Sequence, residues 1–255
     1  MTEAHLRTAP ADHLTFSRLL GRLLTSGIVA GALSGAFSVL VTRRAMAPAL
    51  AIEEARSAGG SDTHAGAEQL FSRDVQVWGG VLGTVVAAVV FAVLLAVAYG
   101  ALRHRLPGAT DFARLVLLAA IGFGVLALLP ALKIPANPPA VGDPATVTTR
   151  TGLYVGVLLT GLMTAILVAA LVSFLRGRGT SVATTAVAAS ATGAVLVTLV
   201  LVLLPGSPDA LPGDVPADVV WDFRLASLGQ LALLWAALGL VGGWLVDRAT
   251  SQAGR

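Results

Sequence analysis

Cysteine is absent from this 255-residue sequence, which excludes disulfides, thiolate nucleophiles and Cys-ligated metals together. Charge is scarce as well: 12% of residues are Asp, Glu, Lys or Arg, about half the share of an ordinary soluble domain. Lysine occurs once, at Lys133, so sixteen arginines carry the basic side. No GxSxG, Walker loop, HExxH, CxxC or paired-carboxylate arrangement is present, and the chain is read as no enzyme. A basic run interleaved with aromatic platforms is also missing, which leaves nothing for nucleic acid to bind.

Apolar residues fill the space: 56% are hydrophobic and the mean hydropathy is +0.83. Six windows hold no Asp, Glu, Lys, Arg or His: Leu23 to Thr42, Gly79 to Leu102, Leu115 to Leu132, Gly152 to Leu175, Val182 to Leu204 and Leu225 to Val246. Each is near the ~20 residues that a helix needs to cross a hydrocarbon core of about 30 Å. The runs are continuous, whereas barrel strands would alternate apolar and polar residues. The expected fold class is all-α, a polytopic membrane helix bundle of six transmembrane helices with Pro-rich extracytoplasmic loops. Residues 1–22 are read as a cytoplasmic arm without fixed structure, 23–246 as the six-helix domain in the lipid bilayer, and 247–255 as a cytoplasmic tail. The run after the arm is too long, and too firmly bounded by Arg43 and Arg44, for a cleaved signal peptide.

With the N-terminus inside, the inner segments hold ten Lys and Arg, and the longer outer loops hold seven. Positive charge concentrates in short inner loops near helix ends, so the expected topology is N-in and C-in. Three hairpins then face outward. Two of them resemble each other: LLPALKIPANPPAVGDP leads to Arg150, and LLPGSPDALPGDVPAD leads to Arg224. Proline fixes φ and lacks an N–H, so these stretches stop helices and stiffen an outer cap. The acids Asp143 and Asp222 are expected to pair with Arg150 and Arg224, within or between hairpins. A cation at the start of a returning helix faces the positive end of the helix dipole, and a carboxylate offsets it.

Gly27, Gly31 and Gly35 recur every four residues in the first span, with looser pairs at Gly79/Gly83, Gly152/Gly156 and Gly239/Gly243. Small residues on one face let helix backbones approach where lipid offers no hydrophobic drive, which predicts close helix packing. The first outer loop supplies Glu53, Glu54, Asp62, His64, Glu68 and Asp74. Carboxylate oxygens with one imidazole suit a borderline divalent cation such as cobalt or nickel. The alternative for Glu53, Glu54 and Arg56 is a solvated helix face after Pro48.

The run LALLPALKIPANPPAVGDPATVTTRT, the loop AIEEA with its His and SRDVQ, and DVPADVVWDFRLASLG together resemble the CbtA family of predicted cobalt transporter subunits. The similarity runs from about Leu23 to Val246. It implies a multi-pass subunit of a cobalt uptake system in a bacterial cytoplasmic membrane, linked to cobalamin synthesis. The implied partner is a small single-span subunit with a His-rich terminus, CbtB-like, and cobalt is the transported substrate rather than a resident cofactor. Residue by residue, the resemblance falls on Glu53, Glu54, His64 and Asp74 as metal contacts. It continues on Asn137, Pro138, Pro139, Asp143 and Arg150 in the second loop, and on Asp218, Trp221, Asp222 and Arg224 in the third. The alternative is a non-transporting membrane scaffold or assembly subunit, favoured by spans that carry no charge at mid-bilayer.

Overall fold

A computed structural model describes residues 15–59 and 73–253. Helix α1 (Phe16–Phe37) passes through a π-helical turn at Ser38–Thr42 into α2 (Arg43–Gly59), and α3 (Arg73–Leu102) returns. Next, α4 (Asp111–Phe123), a second π turn at Gly124–Leu128 and α5 (Leu129–Lys133) form one crossing. A 3-10 turn at Pro144–Thr146 opens α6 (Val147–Gly177), which pairs with α7 (Val182–Leu203), and α8 (Ala217–Ala253) closes the chain. Six of these helical stretches are long and apolar enough to cross a membrane, so the molecule is an all-α, multi-pass membrane bundle. Helix α1 begins at Phe16, within the stretch read as an unstructured arm, and α8 runs to Ala253 through the stretch read as a tail. Long arginine side chains explain the extension, because their stems lie along apolar surface while their heads reach the interface.

Helices α1, α3, α4 and α8 hold the core. On α1 the buried residues are Leu19, Leu23, Ser26, Gly27, Ala30, Gly31, Ser34 and Gly35, a single stripe at the 3.6-residue period. The stripe is narrow and small, and it lies against Val85, Ala88 and Ala92 of α3. A Cβ on Gly31 would come within 2.6 Å of the Val85 Cα, and one on Gly27 within 2.8 Å of the Ala92 Cβ. Helix α8 does the same on two sides: Gly242 faces Leu23 and Ser26 of α1, while Gly239 faces Ala119 of α4. The buried Ser26 hydroxyl donates to the Leu23 carbonyl at 2.8 Å, so the close contact leaves no unsatisfied donor there. The pairs Gly79/Gly83 and Gly152/Gly156, expected to pack likewise, have no neighbour within 4 Å of an added Cβ.

The prolines act in two ways. Leu204 is extended, at ψ 145°, immediately before Pro205, and α7 stops there, as the clash of a proline ring with the preceding residue requires. Pro130 does not stop its helix. It sits at the start of α5 just after the π turn, where the widened turn accommodates a residue without an N–H. The chain leaves helical geometry only at Ile134, one residue before Pro135.

Helices α6 and α7 stand beside the core as a hairpin. Their connection is a glycine cap: Gly179 has φ +73° and the Thr180 N–H donates to the Leu175 carbonyl at 3.1 Å, the left-handed helix ending that glycine adopts without steric penalty. The hairpin meets the core through the half farther from that glycine turn. Gly161 of α6 rests on Leu129 and Val125, and Lys133 Nζ donates to the Leu201 carbonyl of α7 at 2.7 Å.

Candidate functional site

One end of the helix bundle is closed by a polar cap built from the loops 134–146 and 204–216, with α2 laid against it. Its hub is Asp209, whose side chain is only 2% exposed. Oδ2 receives the Asn137 amide at 2.7 Å and lies 3.0 Å from Arg150 Nη1, with the Ser207 hydroxyl at 3.4 Å. Oδ1 receives the Thr146 hydroxyl at 2.6 Å and the Asp143 N–H at 3.5 Å. Burial disfavours the charged form of Asp209. The donors from Thr146, Asp143 and Arg150 outweigh that effect and hold the carboxyl below its usual value.

The pairing expected from the sequence differs from the one found. Arg150 meets Asp209 of the next hairpin rather than Asp143. Asp143 instead caps the 3-10 turn before α6, accepting from the Ala145 N–H at 2.8 Å. Arg224 is not paired with Asp222: its Nη2 donates to Asn137 Oδ1 at 3.2 Å and its Nε to the Ala136 carbonyl at 3.2 Å. The guanidinium also stacks over Trp221, with 5.9 Å to the ring centroid. Asn137 thereby links both arginines, one directly and one through Asp209. Asp218 and Asp222 are exposed on the first turns of α8, where negative charge suits the helix dipole.

A turn carries the second contact. Pro138 is fully buried, and its carbonyl accepts from the Val141 N–H at 3.2 Å. Pro139 presets φ at the first central position, and Ala140 takes the second at φ +65°, a place usually filled by glycine. The Ala140 carbonyl is held by Arg56 Nη1 at 2.8 Å, and Arg56 also forks onto Asp214 at 2.8 and 2.5 Å. Asp214 is held below the usual carboxylate value, chiefly by that hydrogen bond from Arg56. Val141, Val215 and Val220 form a small apolar cluster below, with Ile52 of α2 packed on it.

The metal-contact candidates are divided. Glu53 and Glu54 are exposed on α2, within one turn of Arg56 and so at the rim of the cap. His64 lies outside the described residues, and Asp74 is placed on the first turn of α3 without a described side chain. Among the described residues no three His, Asp or Glu side chains converge in a metal-binding group. Under the cap, Thr42 of the first π turn donates to Gln230 Oε1 of α8 at 2.9 Å, and Ser34 to the Gln230 carbonyl at 3.4 Å.

The family model described as "Probable cobalt transporter subunit (CbtA)" matches residues 16–247, nearly the whole chain. The chain belongs to the CbtA family. Neither a curated protein nor a solved structure gives a match. Membership in this family of transporter subunits fits the six apolar crossings, and it assigns the cap and core alike to one membrane subunit. Asp209 was not singled out in the sequence; the Asp-Pro pair at 143–144, a helix-start signal with Pro in the first turn, was the available clue that Asp143 is already engaged.

Proposed function

We propose that this CbtA-family chain is the membrane-embedded subunit of a cobalt uptake system that serves cobalamin synthesis, and that it is no enzyme. The observation that carries the reading is where α2 lies. Arg56 ties it to both proline-rich loops, so Glu53 and Glu54 are presented at the rim of the cap. With His64 and Asp74 from the following segment they supply carboxylate and imidazole ligands, the set a borderline divalent cation accepts. The cap's own acids are committed to arginines and backbone, which keeps them as framework. Below the rim, the hydroxyl and amide oxygens of Thr42 and Gln230 offer the next polar step. A small single-span CbtB-like subunit completes the path, and the chain lies in a bacterial cytoplasmic membrane with both termini inside. The membrane potential supplies about 2.3 kcal/mol per elementary charge per 100 mV, and roughly twice that for a divalent ion moving inward.

Radioactive cobalt uptake tests this. Cells expressing the chain with its partner should accumulate cobalt at limiting concentration, and Glu53→Gln with Glu54→Gln should lower the rate. Uptake equal to that of empty vector refutes the proposal.

A scaffold role is the second reading. Its support is α7, whose large side chains Val187, Val195, Leu199 and Val202 are exposed along the helix, a surface ready to hold another membrane helix. Purified protein in vesicles separates the two: cobalt entry without added components excludes the scaffold, and stable partner capture without any metal effect supports it.

A further inference from the structure

At the end of the bundle opposite the cap, a groove of about 330 Å³ runs between the start of α1 and the end of α3. Phe16, Leu19, Val97 and Gly100 form its apolar wall, and Arg103 and His104 form its lip. Phe16 and Val97 are each more than half exposed, so no element of the fold covers the wall. Gly100 keeps the space open: the position of its missing Cβ is already 3.5 Å from the Phe16 ring, and any longer side chain would fill the groove. Arg103 follows directly on the apolar crossing that ends at Leu102. Its Nε donates to His104 Nε2 at 3.1 Å, which orients the guanidinium and leaves the end carrying Nη1 and Nη2. Those two atoms make no hydrogen bond among the described residues, and neither is sealed from solvent. No carboxylate competes for them nearby in sequence. Residues 103–110 hold two arginines and a histidine without an acid, and Asp111 is engaged by the Tyr99 hydroxyl at 2.5 Å and by Arg114 Nη1 at 3.3 Å.

We propose that this groove seats one anionic phospholipid, with its phosphate on the Nη1 and Nη2 end of Arg103 and one acyl chain along Phe16, Val97 and Gly100. The planar end of a guanidinium matches two phosphate oxygens at once. Charge complementarity selects the headgroup, because the lip is basic throughout. The apolar wall selects a lipid over a soluble anion: a cationic lip at the end of a crossing, above an uncovered apolar surface, has the layout of a headgroup above its chain. Seated there, the lipid joins α1 to α3 at the end of the bundle that the cap does not hold.

Native mass spectrometry of the full chain in neutral detergent tests this with phosphatidylglycerol, phosphatidylcholine and glycerol 3-phosphate as probes. The expected result is one phosphatidylglycerol retained ahead of phosphatidylcholine, with glycerol 3-phosphate bound far more weakly. R103Q should weaken phosphatidylglycerol binding by about tenfold or more, as the loss of a charge-assisted hydrogen bond implies. R103K, which keeps the charge without the fork, should restore part of it. G100L tests the wall independently of charge: it should fill the groove and displace the lipid, while thermal unfolding without lipid shows that the variant still folds. R105Q is the control, since Arg105 is an exposed cation of the same loop that does not line the groove, and it should change little. Equal binding of the two lipids, an R105Q loss as large as that of R103Q, undiminished binding in folded G100L, or glycerol 3-phosphate bound as tightly as the lipid each overturns the proposal. The readout does not involve cobalt, so it stands apart from the uptake assay.

Discussion

Arg150 Nη1 lies 3.0 Å from Asp209 Oδ2, joining the start of α6 to the loop that follows α7. The carboxylate is buried and the arginine partly so, which places the pair between a screened surface bridge and a desolvated one. Removing Asp209 strands the donors gathered on it, and removing Arg150 leaves a buried carboxylate without its cation. Asp209→Asn and Arg150→Gln are each expected to destabilise the cap by about 1–3 kcal/mol. Limited proteolysis between Pro205 and Pro216 should accelerate in both, and the double variant should be no worse than the more damaged single one. Additive losses would show that the two side chains act separately.

The same carboxylate sets a pH dependence. Asp209 and Asp214 are both held below the ordinary value of 3.8, so they contribute stability above that value and lose it as pH falls through their depressed folded values. The protection factors of amides in the loops 134–146 and 204–216, taken relative to the intrinsic exchange rate at each pH, should therefore be constant near neutral pH and fall below about pH 4. A fall centred near pH 6 would point to a different group.

Ala140 sits in left-handed backbone that glycine occupies freely. Ala140→Gly is expected to stabilise the protein by roughly 1 kcal/mol through relief of that strain. Thermal unfolding measures the shift, and a loss of stability would mean that the alanine methyl packs usefully enough to outweigh the strain.

Gly31→Ala should be damaging, because the new Cβ would meet the Val85 backbone at 2.6 Å and force α1 and α3 apart. A cost of about 1–3 kcal/mol is expected for such overpacking. Gly152→Ala and Gly156→Ala, which meet nothing within 4 Å, should be neutral or slightly stabilising. Melting temperatures of the three variants in one detergent decide the matter.

Topology is accessible to labelling. A cysteine at Gly213, exposed in the cap, should react in intact cells with a membrane-impermeant maleimide, and one at Ala109, exposed between α3 and α4, should react only after lysis. The opposite pattern would reverse the orientation.

The six crossings are legible in the sequence because bilayer thickness imposes a minimum uncharged length that few other structures need. The first-span glycines are legible for a similar reason, since a four-residue repeat can be read along one helix. Partner choice is harder. Arg150 and Arg224 stand out as cations before apolar runs, but their partners are set by how two separate loops meet in space. Proximity along the chain points to Asp143 and Asp222, whereas Asp143 is occupied by its own helix start and Asn137, an uncharged residue, serves Arg224. Packing of Gly152 and Gly156 is misread because a glycine pair says that a close approach is allowed, not that a neighbour is present.

The α6–α7 hairpin is mounted as a cantilever. Gly161, Lys133 and the Arg150–Asp209 pair all clamp the half nearer the cap, while the turn at Gly179 forms the far tip, where an added Cβ would meet nothing within 4 Å. A sideways force on that tip is converted by the length of two membrane helices into torque at the clamp, so a push at one face of the bilayer bears directly on the arginine and aspartate at the other.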